Sequence, residues 1–312
     1  MDFLLAISPC RDEAPRVQRT LDCVDQQTRR PDLWVIVDDG STDGTSEILA
    51  AFAATRAWVR IITRANRGHR AVGPGVVDAF LAGLESVREV PFDLVCKLDL
   101  DLDIPPRYFE LVLARMKGDP RLGICSGKPY YVHPRSGRLQ SEGCGDENGV
   151  GMIKLYRRAC YDDMGGMVRG VFWDVIDGHR SRMLGWKAAS WDDPALRFIH
   201  LRPMGSSQIS WMTGRIRQGQ GQWFMGTSPL YMLAVVTARL REPPFLIGAM
   251  GMLWGYVSSA LRREPRYDLS GFRKHLRSWQ MRALWHGKRA ATRWQEERLA
   301  ASWKGHQGHP RC

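Results

Sequence analysis

Two pairs of aspartates, each directly after a short apolar segment, are the residues of this sequence best suited to chemistry. The first pair is Asp38 and Asp39, and the second is Asp99 and Asp101. Because alternate residues of a strand lie on one face, Asp99 and Asp101 can converge on a single point. Two converging carboxylates suit a hard divalent cation, and such a cation suits a ligand rich in phosphate oxygens. The pattern therefore predicts a site that holds a nucleotide diphosphate through a metal ion.

The elements that must position these aspartates follow a strand and helix alternation. Short apolar runs typical of strands lie at residues 3–7, 33–37, 59–63, 94–98 and 122–126. Helical spacing of apolar residues fills the intervals, as with Val17, Leu21 and Val24 in the first. The alternation favours an α/β fold with one doubly wound, mostly parallel, nucleotide-binding sheet. Both aspartate pairs then lie at the carboxyl ends of strands, where open α/β sheets bind ligands.

Several motifs in a fixed order make the chain resemble glycosyltransferase family 2, whose members have the A-type glycosyltransferase fold. The motifs are residues 8–13, residues 37–45, Asp99-x-Asp101, Trp173-Asp174 with Gly185-Trp186 downstream, and His200. They cover roughly the first 205 residues. The resemblance implies a metal-dependent, inverting transferase that moves a sugar from a nucleotide diphosphate donor to an acceptor hydroxyl.

The resemblance also implies residues that bind the donor. Asp38 and Asp39 would accept hydrogen bonds from the base or ribose, with Asp39 as the base contact, and Asp99 would lie beside the phosphates. Arg67 and Arg70 are candidates for the phosphates themselves, since arginine binds phosphate bidentately. The alternatives are a strand-to-helix turn for the first pair and a solvated loop for the arginines.

A metal site is the second implication of the resemblance. Asp99 and Asp101 would bind Mg²⁺ or Mn²⁺, which neutralises the leaving diphosphate as a Lewis acid. His200 is a third candidate ligand, because imidazole suits Mn²⁺ in particular. The alternatives are a solvated acidic loop for the aspartates and an ordinary core or surface histidine at 200.

The catalytic base is expected in the segment that ends at Gly185. Alignment with the family from that glycine makes Asp174 the residue that accepts the proton of the acceptor hydroxyl. Trp173 stands where the family often has Glu, and Asp177 shares a helical face with Asp174, so Asp177 remains an alternative.

The C-terminal part of the chain differs in character from the rest. The net charge is +12, and from Arg262 to Cys312 there are 13 Lys and Arg against 4 Asp and Glu, so this tail alone has a charge of +9. The uncharged 17-residue segment 245–261 precedes the tail and is at the lower limit of length for a membrane span. We expect a catalytic domain at residues 1–205 and a helical region at residues 206–312.

The helical region predicts contact with an anionic membrane surface. Phe272, Leu276, Trp279 and Ala283 recur at helical spacing among basic residues, which is typical of a helix that lies on anionic lipid. The alternatives are nucleic-acid binding, which the apolar segment disfavours, and packing against the catalytic domain. An acceptor carried on lipid, in the assembly of a cell-surface polysaccharide or glycolipid, would fit this region.

The cysteines and the N-terminal residues indicate the cellular compartment in which the protein is expected. The seven cysteines are odd in number and form no Cys-x-x-Cys pair, which favours a reducing compartment. The N-terminus has no basic segment and is typical of a first strand rather than a signal peptide. The predicted location is the cytoplasm, at the inner face of the cell membrane.

Two further classes of protein compete with a sugar transferase. A nucleotidyltransferase also combines a parallel sheet with carboxylate-bound metal, but residues 8–13 lack the glycine-rich loop that such enzymes commonly use. A basic nucleic-acid-binding protein would leave both aspartate pairs unexplained. The Gln-x-x-Arg-Trp motif of processive synthases is also unmet, because Gln222 precedes Trp223, which favours transfer of single sugars.

Overall fold

The computed structural model describes residues 2–68, 73–134, 136–202, 211–240 and 245–303. Its strands are β1 (Leu4–Cys10), β2 (Leu33–Asp38), β3 (Val59–Thr63), β4 (Leu94–Leu98), β5 (Leu102–Asp103), β6 (Leu122–Ser126), β7 (Lys128–Val132), β8 (Leu139–Ser141), β9 (Ile153–Arg157), β10 (Lys187–Ser190) and β11 (Arg197–His200). Its helices are α1 (Ala14–Asp25), α2 (Thr45–Ala53), α3 (Pro74–Glu85), α4 (Tyr108–Gly118), α5 (Arg158–Asp163), α6 (Trp173–Met183), α7 (Trp211–Met225), α8 (Pro229–Arg239), α9 (Phe245–Leu261), α10 (Phe272–His286) and α11 (Lys288–Arg298).

A seven-stranded sheet forms the centre of the molecule, in the order β10-β6-β9-β4-β1-β2-β3. All its pairings are parallel except those of β9, which runs antiparallel between β4 and β6. Strands β1, β2, β4 and β6 are almost continuously apolar and buried because helices cover both faces of the sheet. The predicted doubly wound, mostly parallel fold is confirmed.

The register brings the two aspartate pairs to the same edge of this sheet. Cys10 at the end of β1 pairs with Asp38 at the end of β2. On the other side of β1, Ile7 pairs with Lys97, two residues before Asp99. The carboxyl ends of β2 and β4 therefore flank the end of β1.

A second, four-stranded sheet has the order β5-β11-β7-β8. Three of its strands lie between residues 128 and 200, a region with no regular pattern in the sequence, and β5, β8 and β11 have only 2, 3 and 4 residues. His200 pairs with Leu102 across the antiparallel β11 and β5. This pairing carries His200 to the aspartates that follow β4.

Helices α7 and α10 pack against α6 and the segment before it, whereas α8, α9 and α11 pack mainly on these C-terminal helices. Along α7 and α9, glycines allow the two backbones to approach closely: a Cβ on Gly219 would lie 1.9 Å from the Met252 carbonyl oxygen, and one on Gly255 would lie 2.0 Å from that of Ile216. Within the described ranges no helix has both the length and the apolarity to cross a membrane.

The apolar face predicted to meet a membrane on α10 is instead in the core. Phe272, Leu276, Trp279 and Ala283 are all buried. Phe272 and Leu276 form a cluster with Ile176 of α6. The membrane prediction for this face is therefore wrong, because residues of α6, α8 and α11 already cover the face.

Candidate active site

A cavity of about 1370 Å³ lies at the carboxyl edge of the central sheet. Six of the side chains predicted from the sequence line it together, namely Asp39, Arg67, Asp99, Asp101, Asp174 and His200. Its opposite wall is formed by residues of α7, α8 and α10. The cavity therefore combines residues from both sides of the domain boundary predicted at residue 205, which itself falls in residues 203–210, outside the described residues.

Asp38 and Asp39 have different surroundings despite being neighbours. The Asp38 carboxylate is fully buried and accepts hydrogen bonds from the backbone N–H of Ser41, at 2.9 Å, and from the Ser46 hydroxyl. It closes the turn into α2 and does not line the cavity. Asp39 reaches the cavity wall, so the geometry favours Asp39 as the ligand contact and gives Asp38 a role in the turn.

Arginines surround Asp39. Arg64 Nη1 lies 2.8 Å from the Asp39 carboxylate, and Arg67 forms a second ion pair with it. Arg11 donates from Nη1 to the Asp39 carbonyl oxygen at 2.8 Å. Arg11 and Arg64 are contacts that the sequence motifs did not single out. Arg70, the other predicted phosphate contact, lies outside the described residues.

Asp99 is held by a lysine of β4, the strand that it directly follows. Lys97 Nζ donates to Asp99 Oδ1 at 2.5 Å and to the Gly151 carbonyl oxygen at 2.8 Å. The Lys97 side chain is buried, whereas that of Asp99 is 28% exposed towards the cavity. The lysine therefore neutralises Asp99 from behind and leaves its outer surface available.

Asp101 lies in a buried polar group with a histidine and a second carboxylate. His200 Nε2 lies 3.4 Å from Asp101 Oδ2, and His200 Nδ1 lies 3.1 Å from Glu142 Oε1. Arg202 donates to Asp101 Oδ2 at 2.9 Å. Glu142 is a site residue that sequence reasoning missed, because the link depends on a contact across 58 residues.

The charges of this group shift the pKa values of its members. Burial alone would lower the pKa of His200, but the carboxylates of Asp101 and Glu142 outweigh it and raise that pKa to about 9. Burial would raise the pKa of Asp101, yet His200 and Arg202 hold it below its ordinary value. This arrangement favours the protonated imidazole and the ionised Asp101 carboxylate, so His200 would have to lose a proton in order to bind a metal ion.

The donor atoms at this edge have the chemistry of a divalent-metal site. Asp99, Asp101 and His200 offer carboxylate oxygens and an imidazole nitrogen from one cavity wall, a set that suits Mn²⁺ or Mg²⁺. In the part of the chain that the structure describes, no three His, Cys, Asp or Glu side chains are already arranged around one point. Lys97 and Arg202 instead provide the positive charge beside the two aspartates.

Asp174 and Asp177, the two candidates for the base, occupy different environments on α6. Asp174 lines the cavity, beside Gly151, where a Cβ would lie 2.8 Å from Asp174 Oδ2. Asp177 is fully buried below it. The Tyr156 hydroxyl donates to Asp177 Oδ2 at 2.6 Å, and Lys154 Nζ lies 3.9 Å away. Only Asp174 of the two faces the space where an acceptor could bind.

The burial of Asp177 also affects its ionisation. Burial raises the pKa of Asp177 to about 6, although Lys154 and the Tyr156 hydroxyl oppose that shift. Trp173, the residue that departs from the family motif, lies close to both Lys97 and Lys154, whose Nζ atoms are 5.5 Å and 5.4 Å from its ring centroid. These lysines are paired residues of β4 and β9, so two buried ammonium groups approach the same tryptophan ring.

The segment that leads into α6 is fixed by contacts with α7. Phe172 has a φ of 62°, a left-handed conformation that is uncommon for an aromatic residue. Its ring packs on Gly221, where a Cβ would lie 2.1 Å from Phe172 Cδ2. The Phe224 ring covers Gly170 in the same way. These contacts hold the backbone two residues before Asp174.

Gln222 and Trp223 stand where processive synthases have the Arg-Trp of the Gln-x-x-Arg-Trp motif, and the two side chains point in different directions. Gln222 lines the cavity and accepts a hydrogen bond from the Thr227 hydroxyl at 2.6 Å. Trp223 turns away towards α9, where its ring lies edge-on to Tyr256. Its Nε1 donates to the Glu264 carbonyl oxygen at 2.9 Å.

Comparison with known proteins identifies the family. A sequence model described as Glycosyl transferase family 2 matches residues 6–175, more than half of the 312-residue chain. The matched region contains Asp39, Asp99, Asp101 and Asp174. The chain belongs to glycosyl transferase family 2. The resemblance predicted from the motifs is confirmed, and the chain is an enzyme of this family.

Individual family 2 relatives are distant. The poly-beta-1,6-N-acetyl-D-glucosamine synthase of Staphylococcus epidermidis is 25% identical over 209 residues, which are 62% of this chain and 46% of the relative. The chain thus spans about half the length of the curated relatives it matches.

Solved structures share the A-type glycosyltransferase fold. The mannosyltransferase PcManGT of Pyrobaculum calidifontis, in complex with GDP-Man and Mn²⁺, aligns with a TM-score of 0.52 at 21% identity, covering 96% of this chain and 86% of its own. GalNAc-T7 with UDP, GalNAc and Mn²⁺ aligns with a TM-score of 0.58 at 11% identity, covering 99% and 59%. At these identities the likeness establishes the fold.

Proposed function

We propose that this protein is a metal-dependent, inverting glycosyltransferase that moves a sugar from a nucleotide diphosphate donor to an acceptor hydroxyl. The observation that carries the proposal is that Asp39, Asp99, Asp101 and Asp174 line one cavity at the carboxyl edge of the sheet. Asp39 could then contact the nucleobase of a bound donor, and Asp99 and Asp101 would lie beside its phosphates. Asp174 could accept a proton from the acceptor hydroxyl. Family membership supports the same reaction class.

Asp39 and Arg67 would bind the donor at the nucleotide end of the cavity. Asp39 would accept hydrogen bonds from the base or ribose, and Arg67 would then be released from its ion pair towards the phosphates. Arg11 would hold the backbone of Asp39 in position through its 2.8 Å hydrogen bond. This division of roles leaves Asp38 as the residue that fixes the turn.

Asp99, Asp101 and His200 would hold Mn²⁺ or Mg²⁺. Such an ion, when bound, offsets the negative charge of the departing diphosphate. Glu142, 3.1 Å from His200 Nδ1, would orient the imidazole, as second carboxylates commonly do for metal-binding histidines. The Mn²⁺ named with two structures of the same fold supports this choice of cofactor.

Asp174 would act as the base. Its carboxylate would accept the proton of the acceptor hydroxyl while the acceptor oxygen forms a bond to the anomeric carbon. The bond from that carbon to the donor phosphate oxygen breaks, and its electron pair leaves with the nucleoside diphosphate. A single displacement from the opposite face inverts the anomeric carbon. Asp177 would support Asp174 from below without contacting substrate.

The cell-surface role is proposed from the relatives and from the surface of α9. Synthases of a poly-N-acetylglucosamine are among the curated relatives, which supports an acceptor in the assembly of a cell-surface polysaccharide or glycolipid. The unmet processive motif supports transfer of single sugars to that acceptor. We retain residues 1–205 as the catalytic domain and residues 206–312 as the helical region.

Contact with an anionic membrane is proposed through one face of α9. Leu246, Met250, Trp254 and Leu261 recur at helical spacing on this face and are each more than half exposed. Exposed Arg262 follows the helix directly. An exposed apolar stripe next to basic side chains is suited to anionic lipid. The six described cysteines are free thiols, which supports a reducing compartment at the inner face of the cell membrane.

Substitution of the base tests the proposed mechanism. Asp174→Asn should preserve donor affinity and lower turnover by roughly 10²–10⁴-fold, the usual contribution of a general base. Asp177→Asn should mainly lower the free energy of unfolding, by about 3 kcal/mol, because it removes the partner of buried Lys154. Donor binding by calorimetry, turnover and denaturant unfolding separate the two variants. Full turnover in Asp174→Asn would overturn the assignment.

A further inference from the structure

Three arginines of the C-terminal helices line the wall of the cavity that faces the sheet. They are Arg215 and Arg217 on α7 and Arg239 at the end of α8. Helices α7, α8 and α9 contain no aspartate or glutamate. The charged side chains that these helices contribute to the cavity are therefore all basic, in contrast to the carboxylates at the sheet edge.

Arg217 has a buried guanidinium nitrogen, Nη1, that faces no hydrogen-bond acceptor in the described part of the chain. Burial lowers the pKa of the guanidinium, and no carboxylate offsets the shift. A desolvated cation without a counter-charge is costly, so such a group in a cavity points to an anionic ligand.

The position of Arg217 links it to the acceptor side of the cavity. Gly221, one helical turn further along α7, packs on the Phe172 ring. Residues four apart share a helix face, so Arg217 lies on the side of α7 that approaches the segment before Asp174. The arginines around Asp39, by contrast, come from the loops after β1 and β3. Arg217 is thus on the side of the cavity where Asp174, the proposed catalytic base, lies.

We infer that Arg217, together with Arg215 and Arg239, binds a phosphate group of the acceptor. The inference rests on the proposed transferase function and narrows the acceptor class from any hydroxyl compound to a phosphate ester. Arg215 is oriented by Gln218, whose Oε1 accepts from Arg215 Nη1 at 3.0 Å. The guanidinium fork suits phosphate oxygens bidentately.

A phosphate of this kind has two possible sources, a lipid phosphate and a water-soluble phosphate ester. Helix α9 packs against α7, contributes Met252 to the cavity lining and exposes the apolar stripe that contains Met250 and Trp254. A lipid phosphate could therefore place its head group at Arg217 with its chain near this stripe. The test distinguishes the two sources.

Binding of defined probes to the full-length protein tests the inference without a transfer assay. The probes are farnesyl phosphate, its neutral counterpart farnesol, and the soluble ester phenyl phosphate, each titrated by calorimetry. Wild type should bind farnesyl phosphate more tightly than farnesol. Arg217→Gln should weaken farnesyl phosphate binding by about 10- to 100-fold, the range expected for loss of a charged hydrogen bond. Arg217→Lys should weaken farnesyl phosphate binding less than Arg217→Gln does.

Two controls make the result specific. Arg88→Gln removes an exposed arginine far along the sequence, on the loop after α3, and should leave probe affinity unchanged. Affinity for a nucleoside diphosphate with Mn²⁺ should be unchanged in Arg217→Gln, since the donor binds at the other side. Thermal melting should show that the variant is folded, because the substitution removes an uncompensated charge.

The outcomes separate this inference from the proposed function. Tighter binding of farnesyl phosphate than of phenyl phosphate supports a lipid source, and equal binding supports a soluble phosphate ester. Farnesyl phosphate that binds no better than farnesol, or a loss of nucleotide binding in Arg217→Gln and Arg217→Lys, would overturn the inference. Failure of the transferase proposal would instead appear as absent nucleotide binding in wild type.

Discussion

At the scale of single residues, burial assigns different roles to neighbouring carboxylates. Asp38 and Asp177 are both fully buried and their oxygens accept hydrogen bonds from the protein. Asp39 and Asp174, next to them or one turn away, line the cavity. A shift of one position at the end of a strand, or of three positions along a helix, thus separates a buried structural carboxylate from one that can contact substrate.

Asp101→Ala is the prediction that tests the metal side of the site. Loss of this carboxylate should lower transfer by roughly 10²–10³-fold, because a charge contact to the departing diphosphate is lost. It should also weaken Mn²⁺-dependent binding of a nucleoside diphosphate, measured by calorimetry. The control is Asp103→Asn, whose side chain pairs with exposed Arg19 at 2.6 Å and should stay within about threefold of wild type. Equal activity in both variants would contradict the metal assignment.

The sequence predicted the site residues that belong to short motifs and missed those that depend on long-range contacts. Asp39, Asp101 and Asp174 lie in motifs after strands or at a helix start, and all three line the cavity. Arg11 and Glu142 approach the site only through pairings across 28 and 58 residues. Such contacts depend on sheet register, which local spacing does not specify.

At the scale of elements, α9 shows why an apolar segment is ambiguous in a sequence. Residues 245–261 have no charge, a composition that suits burial by lipid and burial by protein equally. In the fold, Gly251 and Gly255 face α7 while Met250 and Trp254 remain exposed. Gly251 and Gly255 mark the face of α9 that packs on α7, but the sequence alone does not identify the partner helix.

Gly255→Ala tests the close packing of α7 and α9. The added methyl would lie 2.0 Å from the Ile216 carbonyl oxygen, so the helices must move apart. We expect the free energy of unfolding to fall by about 1–3 kcal/mol, the usual cost of overpacking. Gly118→Ala is the matched control, because a Cβ there meets nothing within 4 Å. In urea unfolding, a Gly255→Ala protein as stable as that control would argue against this packing.

At the scale of the whole molecule, the positive charge of the C-terminal tail is only partly free. Arg289 pairs with Asp146 at 2.5 Å and Lys288 with Glu147 at 3.4 Å, so part of the charge binds the tail to the catalytic region. The sequence showed the excess of +9 but could not show which residues face the protein. The apolar face of α10 is likewise turned towards the protein and buried. The exposed face of α9 is therefore the proposed membrane contact.

Vesicle binding tests that contact. Full-length protein should bind anionic vesicles better than neutral ones at low salt, since each basic residue near the surface contributes about 1 kcal/mol. Changing Leu246, Met250 and Trp254 together to Gln should abolish co-sedimentation by removing the apolar stripe. The control changes exposed Val132 and Leu139 to Gln, away from the helix. A wild type that ignores both kinds of vesicle would refute the membrane proposal.

The most direct test of the transferase proposal is the product released from a panel of nucleotide sugars. Wild-type protein with Mn²⁺ should release a nucleoside diphosphate from at least one of them, slowly to water and faster when an acceptor is present. EDTA should stop the release and added Mn²⁺ should restore it. Release of pyrophosphate would indicate a nucleotidyltransferase, and nucleoside diphosphate release that is indifferent to metal would contradict the site described at Asp99 and Asp101.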